Sequence, residues 1–215
     1  MTAAQIAAQE RLRGGLQGVD ESMKCYPAHM FVMSCGCVVF DLGRGLVLII
    51  YNTRLGIFQI PKGRRNIGES MIDAAFRETY EETGLRVERL AVTMSTRASL
   101  PRGNRGTEKV EVVECEIDNE PFASCTYPCP QAETPGVQKT TYYFPATCDS
   151  TSERDLGTQE EHEHLEPQWI PISKAAEMLT FKAEVGVIDL AVDCVRKSGY
   201  TIGGGEGSGN EAVQN

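Results

Sequence analysis

The chain predicts an α/β protein, and three observations carry that prediction. Apolar runs of strand length recur at Phe31–Asp41, Leu46–Tyr51 and Thr140–Thr147. Interleaved with such runs, 70–84 and 183–197 carry apolar residues at helical spacing. The 215 residues, 41% hydrophobic and 24% charged, suffice for one domain with a full core plus tails.

In chain order, residues 1–20 read as a short peripheral helix within an N-terminal extension, 1–29. Phe31–Asp41 alternates and is rich in Val, Met and Cys; Gly43-Arg44-Gly45 then leads into Leu46–Tyr51, which makes a hairpin. Gly56–Ile60 is a third strand, ending in Pro61-Lys62-Gly63. A helix follows: Ser70 with Asp73 three residues on is a capping-box-like start, and Gly84 is a natural stop. Ile72, Ala75, Phe76 and Thr79 form its buried stripe. Arg86–Met94 reads as a strand, Thr96–Gly106 as a polar loop, and Val110–Ile117 as a strand with a solvated face. The 118–137 stretch, with Pro121, Pro128, Pro130 and Pro135, reads as a long loop insertion. Thr140–Thr147 is β-rich, Cys148–Glu161 is polar, and Pro167–Pro171 is a short strand around the sole Trp169. Helices at Ser173–Leu179 and Ala183–Lys197 close a domain spanning 30–198; in the second, Val187, Leu190, Ala191 and Cys194 share a face. The glycine-rich tail, 199–215, is expected to be disordered.

A formal net charge of −9 disfavours a membrane-surface binder or a partner of extended nucleic acid. Glu10, Arg11 and Arg13 stand where a signal peptide would need apolar residues, and no apolar run is long enough to span a bilayer. A cytoplasmic or nuclear location is therefore expected. The eight cysteines read as free thiols; Cys125-x₃-Cys129 lacks the second pair of ligands a structural zinc requires.

The chemistry concentrates between Gly63 and Leu85. Glu78, Glu81 and Glu82, at i, i+3 and i+4, lie side by side on one helical turn. Three such carboxylates repel one another unless a cation sits among them, and hard oxygen donors in that number suit Mg²⁺ or Mn²⁺. At roughly 100° per residue the cluster lies about 120° from the apolar stripe, so the helix can pack on one side and present acid on another. Arg77, four residues before Glu81, can brace a carboxylate. A solvated acidic face is the alternative reading.

The wider pattern resembles the signature of the Nudix hydrolase family: Gly63, Glu69, Arg77-Glu78, Glu81-Glu82, Gly84 and Leu85 stand at the family's offsets. The seven identities from Gly63 to Gly84 recur by chance with odds on the order of 10⁻⁸ per position at average residue frequencies. Thr79 departs from the pattern, standing where an aliphatic residue is usual, which touches packing rather than chemistry. The resemblance covers about 30–200 and implies an α/β/α sandwich: a mixed sheet between helices, with a loop–helix–loop catalytic motif. It implies hydrolysis of a diphosphate linked to another moiety, with metal ions offsetting the charge of nucleophile and phosphate. Glu78, Glu81, Glu82 and the carbonyl of Gly63 would hold Mg²⁺ or Mn²⁺. One of these glutamates, or an acid from a later loop, would accept the water's proton, and Glu69 would brace the loop through a salt bridge to Arg77.

The later loop, Thr158–Glu166, supplies Glu163 and His164, six and five residues before Trp169. This spacing resembles that of the family's diadenosine polyphosphate hydrolases and suggests Glu163 as a catalytic acid or base and His164 as a substrate contact. Lys62, Arg64 and Arg65 stand at the mouth of the motif; Arg97, Arg102 and Arg105, with Lys109, form a second cationic cluster. In an acidic chain both clusters point to a small, dense polyanion. The leading reading is a pyrophosphohydrolase for a dinucleoside polyphosphate or a diphosphoinositol polyphosphate. Alternatives are an mRNA cap hydrolase and a nucleotide-binding regulator on the same scaffold. Net charge argues against the first, and the intact glutamate set argues against the second.

Overall fold

The computed structural model describes residues 2–99, 112–130, 133–161 and 163–203. The chain begins with α1 (Ala3–Ser22), capped by Thr2, whose hydroxyl accepts the Gln5 N–H. Its described side chains are exposed. The sheet is built on β1 (Phe31–Asp41), which is central because its residues from Ser34 onward are buried on both faces. It turns back through Gly45, whose φ of 66° suits a residue without Cβ, into β2 (Leu46–Asn52). Then β3 (Ile57–Gln59) pairs with β2, and β4 (Lys62–Arg64) pairs with β1. A side chain at Gly36 would overlap the Pro61 carbonyl, which is how β4 approaches so closely.

After α2 (Met71–Thr83) come β5 (Glu88–Arg89) and β6 (Val92–Thr96), two pieces where the sequence suggests one strand. β7 (Val113–Ile117) pairs with β6 as a separate two-stranded ribbon. The stretch read as a loop insertion contains a strand, β8 (Ala123–Pro128), antiparallel to β9 (Gln138–Thr147). Its residues alternate in burial, and Pro128 sits at its last position, where a missing N–H is tolerated. β9 runs parallel to β1, and β10 (Leu165–Pro171) pairs antiparallel with β2. The main sheet is therefore mixed, ordered β10-β2-β1-β9-β5, with β3, β4 and β8 alongside.

Two apolar clusters fix the layers. Cys35, Cys37, Val39, Leu48, Phe144 and Ala146 pack under Ala74 and Ala75 of α2, with Ile72 and Phe76 partly buried. On the other face Val38, Phe40, Val47, Ile49 and Tyr143 pack under α4 (Lys182–Lys197), preceded by the short α3 (Ala175–Met178). This is the α/β/α arrangement expected. The buried stripe of α4 differs from expectation: Val187, Ile188, Ala191, Val192 and Val195 face the core, whereas Leu190 is 53% exposed. The helix is apolar on overlapping arcs, and contact with the sheet and β6 selects one of them.

The tail also differs at its start. Gly203 N–H donates to the Leu42 carbonyl at 2.7 Å and Ile202 packs against the α4-side core, so 199–203 dock on the β1–β2 turn. Residues 204–215 lie outside the described residues. No helix among the described residues is long and apolar enough to cross a membrane.

Candidate functional site

The ends of α2 position the site. The Ser70 hydroxyl accepts the Asp73 N–H at 3.2 Å, and Gly84 stops the helix in the left-handed region, its N–H donating to the Tyr80 carbonyl at 2.7 Å. A Cβ at Gly84 would overlap the Asp155 carbonyl. The last carbonyls of a helix lack intrahelical partners, and here the segment after β9 satisfies them. Thr158 Oγ1 donates to Glu81 O (2.8 Å), Gln159 Nε2 to Glu82 O (3.0 Å), Arg154 Nε to Thr83 O (2.9 Å) and Asp155 N to Gly84 O (2.9 Å). This anchored segment lines a cleft of about 340 Å³ that includes Glu163. None of these caps is marked in the sequence by more than ordinary loop polarity.

Within α2, Arg77 organises the carboxylates. Its Nε and Nη2 grip both oxygens of Glu69 at 2.8 and 2.9 Å, while Nη1 donates to Glu78 Oε1 and Glu81 Oε2, each at 2.7 Å. Nη2 also donates to the Arg64 carbonyl at 3.0 Å. The Glu69–Arg77 brace is present, and the guanidinium also ties the loop before α2 to the acidic face. Glu78 and Glu82 are buried, whereas the Glu81 side chain is 41% exposed. Burial pushes the Glu78 carboxyl above its ordinary range, although Arg77 opposes the shift. Burial lifts Glu82 to about 8 against the pull of Lys62, and its Oε2 accepts the Lys62 backbone N–H at 2.8 Å.

As they stand, no three His, Cys, Asp or Glu side chains among the described residues converge on a metal-sized site. The donor set nevertheless fits a hard divalent ion. A Cβ at Gly63 would overlap the Glu78 carboxylate, so only glycine lets that carboxylate lie against the β4 backbone. Burial disfavours the ionised forms of the Glu78 and Glu82 carboxyls, and a divalent cation beside them would favour those forms again. Glu163 lies within electrostatic reach of both, and its charge adds to their upward shifts. Its Oε2 accepts the Glu160 N–H at 3.2 Å.

The cations divide. Lys62, expected at the mouth of the site, points instead into the α4 side of the sheet and is 7% exposed. Its three ammonium donors meet Gln59 Oε1 (2.8 Å), the Ile60 carbonyl (3.1 Å) and Glu184 Oε1 (3.1 Å), leaving none for phosphate. The pattern could not reveal this, because Glu184 is distant in sequence. Arg64 is exposed at the end of β4. Arg65 is half-buried; Nη1 donates to the Glu69 carbonyl at 2.6 Å and Nε has no hydrogen-bond partner among the described residues. His164 is exposed beside Glu163, its carbonyl accepting the Thr53 N–H at 2.9 Å, and Arg97 is exposed just beyond β6. Arg102, Arg105 and Lys109 lie outside the described residues, as does His162.

Sequence reasoning missed Lys139 of β9. It is half-buried, and burial, followed by the neighbouring Lys62 charge, lowers its ammonium pKa; Glu82 pulls the other way. A lysine in a β-rich run carries no signal of its own until the register places it.

A family model described as the NUDIX domain matches residues 30–188. Among solved structures, an Ap4A hydrolase from C. elegans is similar at 18% identity and a TM-score of 0.51, covering 77% of this chain and 98% of that one. A hydrolase of the NUDIX family from Clostridium perfringens is similar at 13% identity and a TM-score of 0.50, covering 75% of this chain and 95% of that one. At these identities the likeness is one of fold. With the family match running across most of the chain and the glutamate motif on α2, this protein belongs to the Nudix hydrolase family.

Proposed function

We propose that this chain is a Mg²⁺- or Mn²⁺-dependent pyrophosphohydrolase that cleaves a diphosphate linkage in a polyanionic small molecule. A dinucleoside polyphosphate or a diphosphoinositol polyphosphate is the substrate class. The observation that carries the reading is the seating of Glu78 against Gly63, with Glu82 accepting the preceding amide of the same strand, that of Lys62. Glu78, Glu81, Glu82 and the Gly63 carbonyl are the ligands for the ion. When bound there, the ion supplies positive charge that offsets repulsion between an anionic nucleophile and phosphate.

The protein's own groups do the rest. Arg77 acts as a positioning residue: it fixes Glu69, Glu78 and Glu81 relative to β4 and keeps their charges from splaying apart. Glu163 lines the cleft beside the end of α2, which supports its reading as the group that accepts a proton from the attacking water. Arg64, with Arg65 and His164, contacts phosphates away from the bond that breaks. An acidic chain that keeps on the motif strand an arginine with no ion pair among the described residues favours a dense polyanion over ADP-ribose.

The test is a panel of dinucleoside polyphosphates, inositol pyrophosphates, capped RNA, ADP-ribose and nucleoside triphosphates with Mg²⁺ and Mn²⁺. Glu82→Gln and Glu81→Gln should fold and lose turnover by orders of magnitude, on the order of 10²-fold or more. Near-normal activity in both would remove the metal assignment and favour a binding role.

A further inference from the structure

Helix α1 lies ahead of the sheet, and all of its described side chains are exposed. A lone helix of 20 residues is marginal in water, and Gly14, Gly15 and Gly18 weaken this one further. No neighbour within the chain requires those glycines, since a Cβ at any of them would meet open space. Such a helix is held by packing along one face, so the face it offers identifies what it packs against.

That face is an apolar seam. Leu12, Leu16, Val19 and Met23 follow one another at spacings of four, three and four residues. At roughly 100° per residue they fall within about 60° of arc. All four side chains are open to solvent, with exposures from 47% to 69%. Met23 is the C-cap, and its N–H donates to the Val19 carbonyl at 2.8 Å, so it continues the seam. Towards the N-terminus Gln9 and Gln5 take the seam positions and end it. A contiguous apolar patch of this kind marks an association surface.

The flanks of the seam select the partner. Arg13 and Asp20 lie along one side, Gly15 and Ser22 along the other. Neither Arg13 nor Asp20 forms an ion pair among the described residues. When two identical helices pair antiparallel, each flank meets the same flank of the other copy; when they pair parallel, it meets the opposite flank. Laying Leu16 on Val19 of a second, antiparallel copy sets Leu12 on its Met23, Arg13 beside its Asp20 and Gly15 beside its Ser22. Two-fold symmetry repeats each contact. The charges are complementary on one flank, and the small residues on the other allow close approach. A parallel pair would set Asp20 beside Gly15 and Arg13 beside Ala8, with no ion pair gained.

We propose that α1 is a dimerisation helix whose partner is α1 of a second copy of this chain, laid antiparallel along the Leu12–Met23 seam and flanked by reciprocal Arg13–Asp20 ion pairs. The surface is separate from the glutamate motif, so the proposal stands whatever the substrate.

Sedimentation velocity of the full chain over a dilution series tests it. Wild type should be a dimer that dissociates on dilution. Leu16→Asp should be monomeric at every concentration with an unchanged melting temperature, because Leu16 packs against nothing else in its own chain. Arg13→Asp and Asp20→Arg should each raise the dissociation constant about tenfold or more, since each sets like charges across the pair. The double variant Arg13→Asp/Asp20→Arg keeps the net charge and restores both ion pairs, so it should recover wild-type affinity. An equimolar mixture of the two single variants should also dimerise, as each acidic flank then meets a basic one. A wild type that stays monomeric would overturn the proposal, and so would a dimer that survives Leu16→Asp, which must use another face. A double variant no tighter than the single ones would overturn the antiparallel pairing and the proposal with it.

Discussion

Lys62 distinguishes the motif's apparent chemistry from its actual packing. Its ammonium pairs with Glu184 at 3.1 Å, both side chains being at most 7% exposed. The Glu184 carboxylate also accepts from the Ile60 N–H and the Tyr143 hydroxyl, each at 3.1 Å. Replacing Lys62 with Met keeps the apolar stem and removes the charge, leaving a carboxylate buried beside two neutral donors. Removing one partner of such a pair costs about 3–5 kcal/mol, because the desolvation of the other is no longer offset. In a domain of this size each kcal/mol moves the melting temperature by about 2–4 °C, so Lys62→Met should melt roughly 6–20 °C lower. The double variant Lys62→Met/Glu184→Gln removes the stranded charge while keeping an acceptor for Ile60, and should recover much of the loss. Thermal unfolding followed by circular dichroism at neutral pH, with guanidinium titrations for the free energies, measures both. If Lys62 instead reached out to phosphate, Lys62→Met would raise KM with an unchanged melting temperature. That outcome, or a double variant no more stable than the single, would refute the reasoning.

Three further expectations follow from other contacts. Gly63→Ala drives a methyl into the Glu78 carboxylate, and kcat/KM should fall on the order of 10²-fold with modest loss of stability; near-normal kinetics would show the carboxylate free to move. Asp41 is buried, which alone would raise its pKa, but hydrogen bonds from Ser150 and Arg44 outweigh this and hold it well below the usual carboxylate range. Its contribution is therefore fully present above the unfolded value of about 4 and is lost as pH falls towards the depressed folded value. Asp41→Asn should lower stability at pH 7 by about 1.5–3 kcal/mol and flatten the acid limb of a stability–pH curve; an unchanged curve would refute the assignment. Truncation after Ser198 removes the Ile202 packing and the Gly203–Leu42 hydrogen bond, at about 1–3 kcal/mol, and an unshifted melting temperature would show that the docking contributes nothing.

What the sequence determined by itself was local. Glu78, Glu81 and Glu82 share a helical face because 3.6 residues make a turn, and Ser70 and Gly84 bound that helix because capping depends on neighbours a few residues away. The Arg77 brace on Glu81 was legible for the same reason, and the family signature extended it to Glu69. Tertiary structure decided whatever depends on partners remote in the chain. Glu184 turned Lys62 from an apparent phosphate ligand into half of a buried pair. The β8–β9 register made a strand of an apparent proline-rich loop, and the β1–β9 register set Ser34 beside Thr141 with Lys139 one row on. The 154–163 segment reads as polar loop until it caps the carbonyls of α2 and carries Glu163 towards Glu78. Periodicity records which face of an element is apolar, but which side chain meets another across strands is set by register and packing, and that information belongs to the folded chain alone.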